Sequence, residues 1–257
     1  MSNVLFSYRN HIDATATILT SSSQLGDLSI QNVADTRIGK RHRCAGPNAY
    51  GQADFVTNVT IDVVALVFPR DTALATGTVR HTFDANGGTP GTGVAHDSTA
   101  IDLGLIEGYG YHIYQLASPV TARYWRWTYA LTSAFADTGR AWAGEKWVPD
   151  VNFDLGAADA WNDLSVVTQS RRSGAEFADL RLKQRGFSFS LGFMDEDDKA
   201  VAQELKRLVG ISKQVLCLKD PEAAARNAVV GRLASIDPIT DANFNLYSTP
   251  FAVRESL

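Results

Sequence analysis

The side chains able to do chemistry are spread along this sequence rather than gathered. Its histidines, His11, His42, His81, His96 and His112, show no partner at metal-ligand spacing. His96-Asp97 is an adjacent imidazole–carboxylate pair of the kind that works in acid–base catalysis. Its polar setting reads instead as a solvated loop pair. The acidic run Asp195-Glu196-Asp197-Asp198 lacks the alternate spacing and glycine of a calcium loop, and fits the start of a helix. Asn86-Gly87-Gly88-Thr89-Pro90-Gly91-Thr92-Gly93 is glycine-rich but lacks the lysine of a phosphate cradle, so it reads as a connection. No HExxH, GxSxG, P-loop or paired CxxC pattern occurs. A glycoside hydrolase needs a pair of carboxylates set apart by environment, and the sequence singles out none. The expectation is a protein that is not an enzyme, with no catalytic residue, no metal and no cofactor.

Contact chemistry is better represented. In Lys40-Arg41-His42-Arg43, Arg41 and Arg43 are candidates for holding a phosphate, an acidic sugar or a partner's carboxylates. Tyr124-Trp125-Arg126-Trp127-Thr128-Tyr129 is dense in aromatics. On a strand, Tyr124, Arg126 and Thr128 face one way and Trp125, Trp127 and Tyr129 the other. One face can fill a core, and exposed rings can stack on sugars. Trp142 and Trp147 are further candidate anchors for a partner. Arg41, Arg43, Trp125, Arg126, Trp127, Trp142 and Trp147 are therefore the candidate ligand or partner contacts. A solvated loop and ordinary core packing are the competing readings.

The elements that must position these residues are mostly strands. Val59, Ile61 and Val63 alternate with polar residues and lead into an apolar run that stops at Pro69. Thr78 to Phe83, Tyr109 to Leu116 and Tyr124 to Leu131 read as further strands. Trp147-Val148-Pro149-Asp150 marks a boundary. Beyond it Phe187, Phe189, Leu191 and Phe193 alternate with small residues, placing four large side chains on one strand face. Val201, Leu205, Leu208 and Val209 then follow helical spacing, giving a helix near 196–209 capped by Asp195 and stopped by Gly210. Gln214 to Leu218, Val229 to Ile236 and Phe244 to Val253 are the last strand candidates. The expected fold is mostly β: an N-terminal β-sandwich or jelly roll over 1–148, and a β-barrel-like domain carrying one α-helix over 149–257.

The chain of 257 residues has 45% hydrophobic and 20% charged residues, which excludes wholesale disorder. A net charge of −4 disfavours nucleic-acid binding through phosphate contacts. No apolar run approaches the roughly 20 residues of a membrane span. The start Met1-Ser2-Asn3 lacks a basic, then apolar, secretory pattern, so synthesis and assembly in a reducing cytoplasm are expected. Cys44 and Cys217 read as free thiols.

Several segments resemble known families. Asn32-Val33-Ala34-Asp35-Thr36-Arg37, Asp62-Val63-Val64-Ala65-Leu66-Val67, Ala122-Arg123-Tyr124-Trp125-Arg126-Trp127 and Gly139-Arg140-Ala141-Trp142-Ala143-Gly144 occur in the order seen in a discoidin-like, galactose-binding-like jelly roll. Arg185-Gly186-Phe187-Ser188-Phe189, Gln214 to Pro221, Val230-Gly231-Arg232-Leu233 and Phe251-Ala252-Val253-Arg254-Glu255 resemble the barrel domain of phage distal tail and baseplate proteins. The resemblance implies a structural component of a phage tail tip, resident in the virion. It implies a homo-oligomeric ring, with the tail tube, hub and fibre as neighbours and a host-surface glycan as a contact. The alternative it implies is a carbohydrate-binding host-recognition module. The disulfide that often joins the ends of discoidin modules has no counterpart in the first half.

Overall fold

The alternation of large apolar and small polar residues produces strands throughout the computed structural model, which describes residues 2–71, 73–85 and 93–257. The chain divides into two compact units, Met1–Val148 with Val215–Ala228, and Pro149–Gln214 with Val229–Leu257. The glycine-rich segment, apart from Gly93, lies outside the described residues.

The first unit is a β-sandwich of jelly-roll type. Its strands are β1 (Leu5–Ser7), β2 (Ile18–Ser21), β3 (His42–Arg43), β4 (Asn48–Val67), β5 (Gly77–Asp84), β6 (Val94–Asp102), β7 (Tyr111–Leu131), β8 (Asp137–Thr138) and β9 (Arg140–Gly144). The main sheet has the order β2-β4-β7-β5-β6, all antiparallel, and β9 pairs with the second half of β4. The strands expected at Tyr109–Leu116 and Tyr124–Leu131 are one element. β4 and β7 run side by side along their lengths, broken by register shifts between Asp54 and Val59 and between Ile61 and Val63. Bulges of this kind bend a strand and reset which residues face inward. They let one pair of strands line the core twice, with Ala53, Trp125 and Trp127 from one half and Val64 and Leu66 from the other. Gly51 makes room for Trp127, because a Cβ there would overlap the indole ring.

The segment Val215–Ala228, expected with the second module, belongs to the first unit. β1 pairs there with a later strand, Val215–Leu218, in register Leu5↔Leu218 and Ser7↔Leu216. Both are buried apolar strands, and each gives the other's backbone groups their partners.

The Val215–Leu218 strand of the first unit is β14; the second unit is built from β10 (Ala158–Asn162), β11 (Val166–Gln169), β12 (Glu176–Asp179), β13 (Gln184–Met194), α1 (Glu196–Val209), β15 (Ala228–Leu233), β16 (Thr240–Asn243) and β17 (Leu246–Glu255). Its sheet follows the order β10-β13-β17-β15, with β16 on β17. This path is open, where a barrel-like closure was expected. Asp195 caps α1 by accepting from the Asp198 amide at 2.8 Å, and Gly210 ends the helix at φ 54°. The buried face of α1, Ala202, Leu205 and Val209, packs on β13 and β17.

Phe187, Phe189 and Leu191 face inward as the alternation predicts, opposite Val253 and Phe251. Phe193 does not follow them. A register shift between Leu191 and Met194 turns Phe193 outward, 57% exposed, and buries Met194 instead. Gly192 stands at this break, with the Asp154 carboxylate in the space a Cβ would take. Phe189 sits between Phe153 and Phe251, with ring centroids at 5.4 and 6.1 Å. Phe189→Ala is expected to destabilise the second unit by about 3–5 kcal/mol, through lost burial and the cavity left behind. Denaturant unfolding followed by a second-unit probe measures this, and a change within about 0.5 kcal/mol would mark the ring as a surface residue.

Candidate functional site

Alternation on β4 and β7 separates the aromatic segment into two environments. Trp125 and Trp127 have no exposed surface and pack on each other with centroids 4.7 Å apart. Trp142 is equally buried, and its Nε1–H donates to Ser7 Oγ at 3.0 Å. Trp147 is nearly buried and stacks on Phe6 at 5.4 Å. These four rings, expected as contact candidates, are core residues with no face to offer a sugar.

Arg41 and Arg43 reach the surface in a paired state. Arg43 makes a two-pronged contact with Asp137, both nitrogen–oxygen distances being 2.6 Å, and its guanidinium lies 4.1 Å over the Phe135 ring. Arg41 bridges Asp71 at 3.2 Å and approaches Asp137 at 3.6 Å. Arg37 and Lys40 share Asp35, whose carboxyl is held far below the usual range chiefly by the Arg37 hydrogen bond. His42, between the two arginines, is buried, and its Nε2 meets the Ser23 carbonyl at 3.2 Å. The basic run is therefore neutralised cation by cation. It does not form an open cradle for phosphate.

His96 and Asp97 do not act as a pair either. His96 Nε2 contacts the Tyr114 hydroxyl at 2.7 Å, while Asp97 takes both prongs of Arg80. Among the described residues, no group of His, Cys, Asp and Glu has the geometry to hold a metal ion. Both thiols are buried, and burial pushes each above its ordinary value.

Arg126 is different. Pairing registers put it in one row across the main sheet: Thr20 opposite Gln52, Gln52 opposite Arg126, Arg126 opposite Thr82, and Thr82 opposite Asp97. Directly paired residues share a sheet face, so this polar row lies on the side away from Trp125 and Trp127. Arg126 Nε donates to Gln52 Oε1 at 2.9 Å, and the guanidinium lies 4.4 Å over the Tyr50 ring. The side chain is half-buried and fixed from two sides. The structure brings Arg126 together with Tyr50, Gln52 and Thr82. Sequence reasoning missed these three because only strand register, a long-range property, aligns them.

A second feature escaped the sequence. From Ala158 to Lys183 no residue is buried. β10 pairs with the start of β13, and β11 with β12, so this stretch is a two-stranded arm with its tip at Ser170–Ala175. It displays Trp161 at 50%, Phe177 at 63% and Leu180 at 82% exposure, with Val166 and Val167 beside them.

Inside the first unit, His81 and His112 form a buried proton chain. Trp125 Nε1–H donates to His81 Nδ1 at 3.2 Å, so that nitrogen is bare. His112 Nδ1 lies 2.9 Å from the Leu103 carbonyl and must carry a proton to donate to it. His81 Nε2–H then donates to His112 Nε2 across 3.0 Å, both rings being neutral. Burial lowers the pKa of both, and an added proton would set two N–H groups against each other. Burial also lowers His11 and His42. A folded-state pKa below the unfolded value means that the unfolded chain binds more protons in acid. The stabilisation is complete above about pH 6.5, the unfolded value, and is lost as pH falls below it. The melting temperature of the first unit is therefore expected to fall between about pH 6.5 and pH 5, with His81 and His112 still neutral by nuclear magnetic resonance. A flat profile, or protonated imidazoles in the folded protein, would contradict the assigned chain.

No known protein family matches this sequence, and no curated protein does. Solved structures do show similarity, over about half of this chain. A GH29 fucosidase from Ruminococcus gnavus in complex with fucose aligns over 54% of this chain and 27% of its own, at 12% identity and a TM-score of 0.45. This chain thus spans about a quarter of that enzyme. A family 32 carbohydrate-binding module from C. perfringens in complex with galactose aligns over 55% of this chain and 99% of its own, at 11% identity and a TM-score of 0.44. A Streptococcus pneumoniae fucose-binding module aligns over 53% and 95%, at 12% identity and a TM-score of 0.43.

Proposed function

We propose that this chain is a structural subunit of a symmetric assembly, a virion component of the tail-tip type that its second half resembles. The observation that carries the reading is the arm, which has no buried residue from Ala158 to Lys183. A two-stranded hairpin is marginal in water on its own, yet this one presents Trp161, Phe177, Leu180, Val166 and Val167 to solvent. β10 is also an edge strand, because among the described residues it pairs only with β13. Open edges with apolar side chains are covered in functional proteins, and here a second copy is the fitting cover. Asp159, Asp163, Glu176 and Asp179 are matched in number by Arg171, Arg172, Arg181 and Lys183, so like arms do not repel through net charge. A head-to-tail contact of this kind closes into a ring when its rotation allows.

A second reading concerns the first unit, as a carbohydrate-binding module for a host surface. The row Thr20–Gln52–Arg126–Thr82 favours it, because it presents hydroxyl, amide and guanidinium groups on one ordered sheet face. The two readings are compatible in one chain.

The assembly reading is tested by sedimentation. The chain is expected to form a defined multi-copy particle. Phe177→Asp with Leu180→Asp is expected to leave a monomer with an unchanged melting temperature, because both side chains are exposed. A wild-type chain that stays monomeric at high concentration, or a variant that assembles as before, would remove the basis for the proposal.

A further inference from the structure

We propose that Arg126 anchors a site for the carboxylate of an acidic polysaccharide on the outer face of the first unit's main sheet. The inference rests on the carbohydrate-binding reading of that unit and names its ligand class.

Three arginines of this sheet differ in their partners. Arg80 is locked to Asp97 through both prongs of its guanidinium. Arg123 is locked to Asp54 in the same way, at 2.7 and 2.9 Å. Arg126 has no carboxylate among the described residues. Its Nε is occupied by Gln52 and its plane is held over Tyr50, which leaves both terminal nitrogens without a hydrogen bond among the described residues. A half-buried cation that has lost part of its hydration and gained no counter-charge is unfavourable alone. Its neighbours show what completes such a group on this surface, a carboxylate taken by two parallel N–H donors.

Positioning adds to the case. A free arginine has several rotatable bonds to freeze, and here Gln52, itself nearly buried, and the Tyr50 ring have already fixed the group. Binding then loses less side-chain entropy than at a flexible surface arginine. The surroundings select the kind of acid. The row holds Thr20, Gln52 and Thr82, with Thr128 on the adjoining row, which supply hydroxyl and amide partners suited to sugar hydroxyls; Asp97, the carboxylate at the end of the row beyond Thr82, is already taken by Arg80. No large apolar side chain in the row offers the anchor pocket on which peptide recognition depends. A uronic acid polymer, with one carboxylate and several hydroxyls per residue, matches this pattern.

The test uses the full chain and polygalacturonate, compared with the same polymer fully methyl-esterified. The acid form is expected to bind about tenfold or more tightly than the ester, the worth of a charge-assisted hydrogen-bonded pair, and to weaken as salt rises. Arg126→Gln is expected to lower affinity for the acid form to that for the ester. Arg126→Lys, which keeps the charge but loses the fork, is expected to lose part of it. Thr82→Glu is the second variant. It places a carboxylate directly across the strand from Arg126 and is expected to block the site while leaving the arginine in place. Equal binding of acid and ester overturns the carboxylate inference and leaves the carbohydrate reading standing. Retention of neither form overturns both. Preference for the acid form that survives Arg126→Gln and Thr82→Glu overturns the assignment to Arg126.

Discussion

The pairing of β4 with β7 is the constraint on which the first unit depends. A strand has only two sides, so its register decides at once what is core and what is surface. With Gly51 opposite Trp127 and Gln52 opposite Arg126, the same alignment seals two indoles inside and sets a guanidinium outside. A slip of one residue would exchange them, burying a charge and exposing the largest rings of the unit. The glycine that accommodates Trp127 and the glutamine that steadies Arg126 are adjacent in sequence, so packing and surface chemistry are fixed by one local arrangement.

The two units use large apolar side chains in opposite ways. In the first, rings and aliphatic groups converge on one cluster, and three of the polar rings among them are linked in the donor order Trp125–His81–His112. In the second, a core sits between α1 and the inner face of β13 and β17, while the arm carries apolar groups that remain exposed to solvent. The arm is ordered by its own backbone pairing and short-range ion pairs such as Arg181–Asp179. Its side chains are therefore presented rather than packed.

Much of the fold was legible in the sequence, and the limits have physical causes. Helix α1 announced itself through Asp195, the acidic first turn, Lys206 and Arg207 near its end, and Gly210, all of which are local signals. The inward face of Phe187, Phe189 and Leu191 was equally plain. The alternation failed at Phe193 because a bulge adds a residue, and periodicity has no means of anticipating one. β1 and β9 are short, and their stability comes from partners far along the chain, so no window of sequence reveals them. The candidate contacts divided for a related reason. Composition identified Trp125, Arg126 and Trp127 together, and alternation separated them, but only the completed sheet showed which side faced solvent. Arg41 and Arg43 looked available because Asp71 and Asp137 lie distant in sequence. The arm was missed because its polar and apolar residues follow no single-face pattern, as expected of a hairpin with two exposed faces.

The placement of the two cysteines has a practical bearing. Cys44 and Cys217 are both buried with thiols pushed away from the reactive thiolate, and both belong to the first unit. Thiol reagents reach a group like this only when the structure around it opens. Alkylation of the folded protein is therefore expected to follow the opening of the structure around Cys44 and Cys217. The second unit contains no thiol. A single cysteine introduced on the arm would be a chemically unique handle there, with no native residue to remove first.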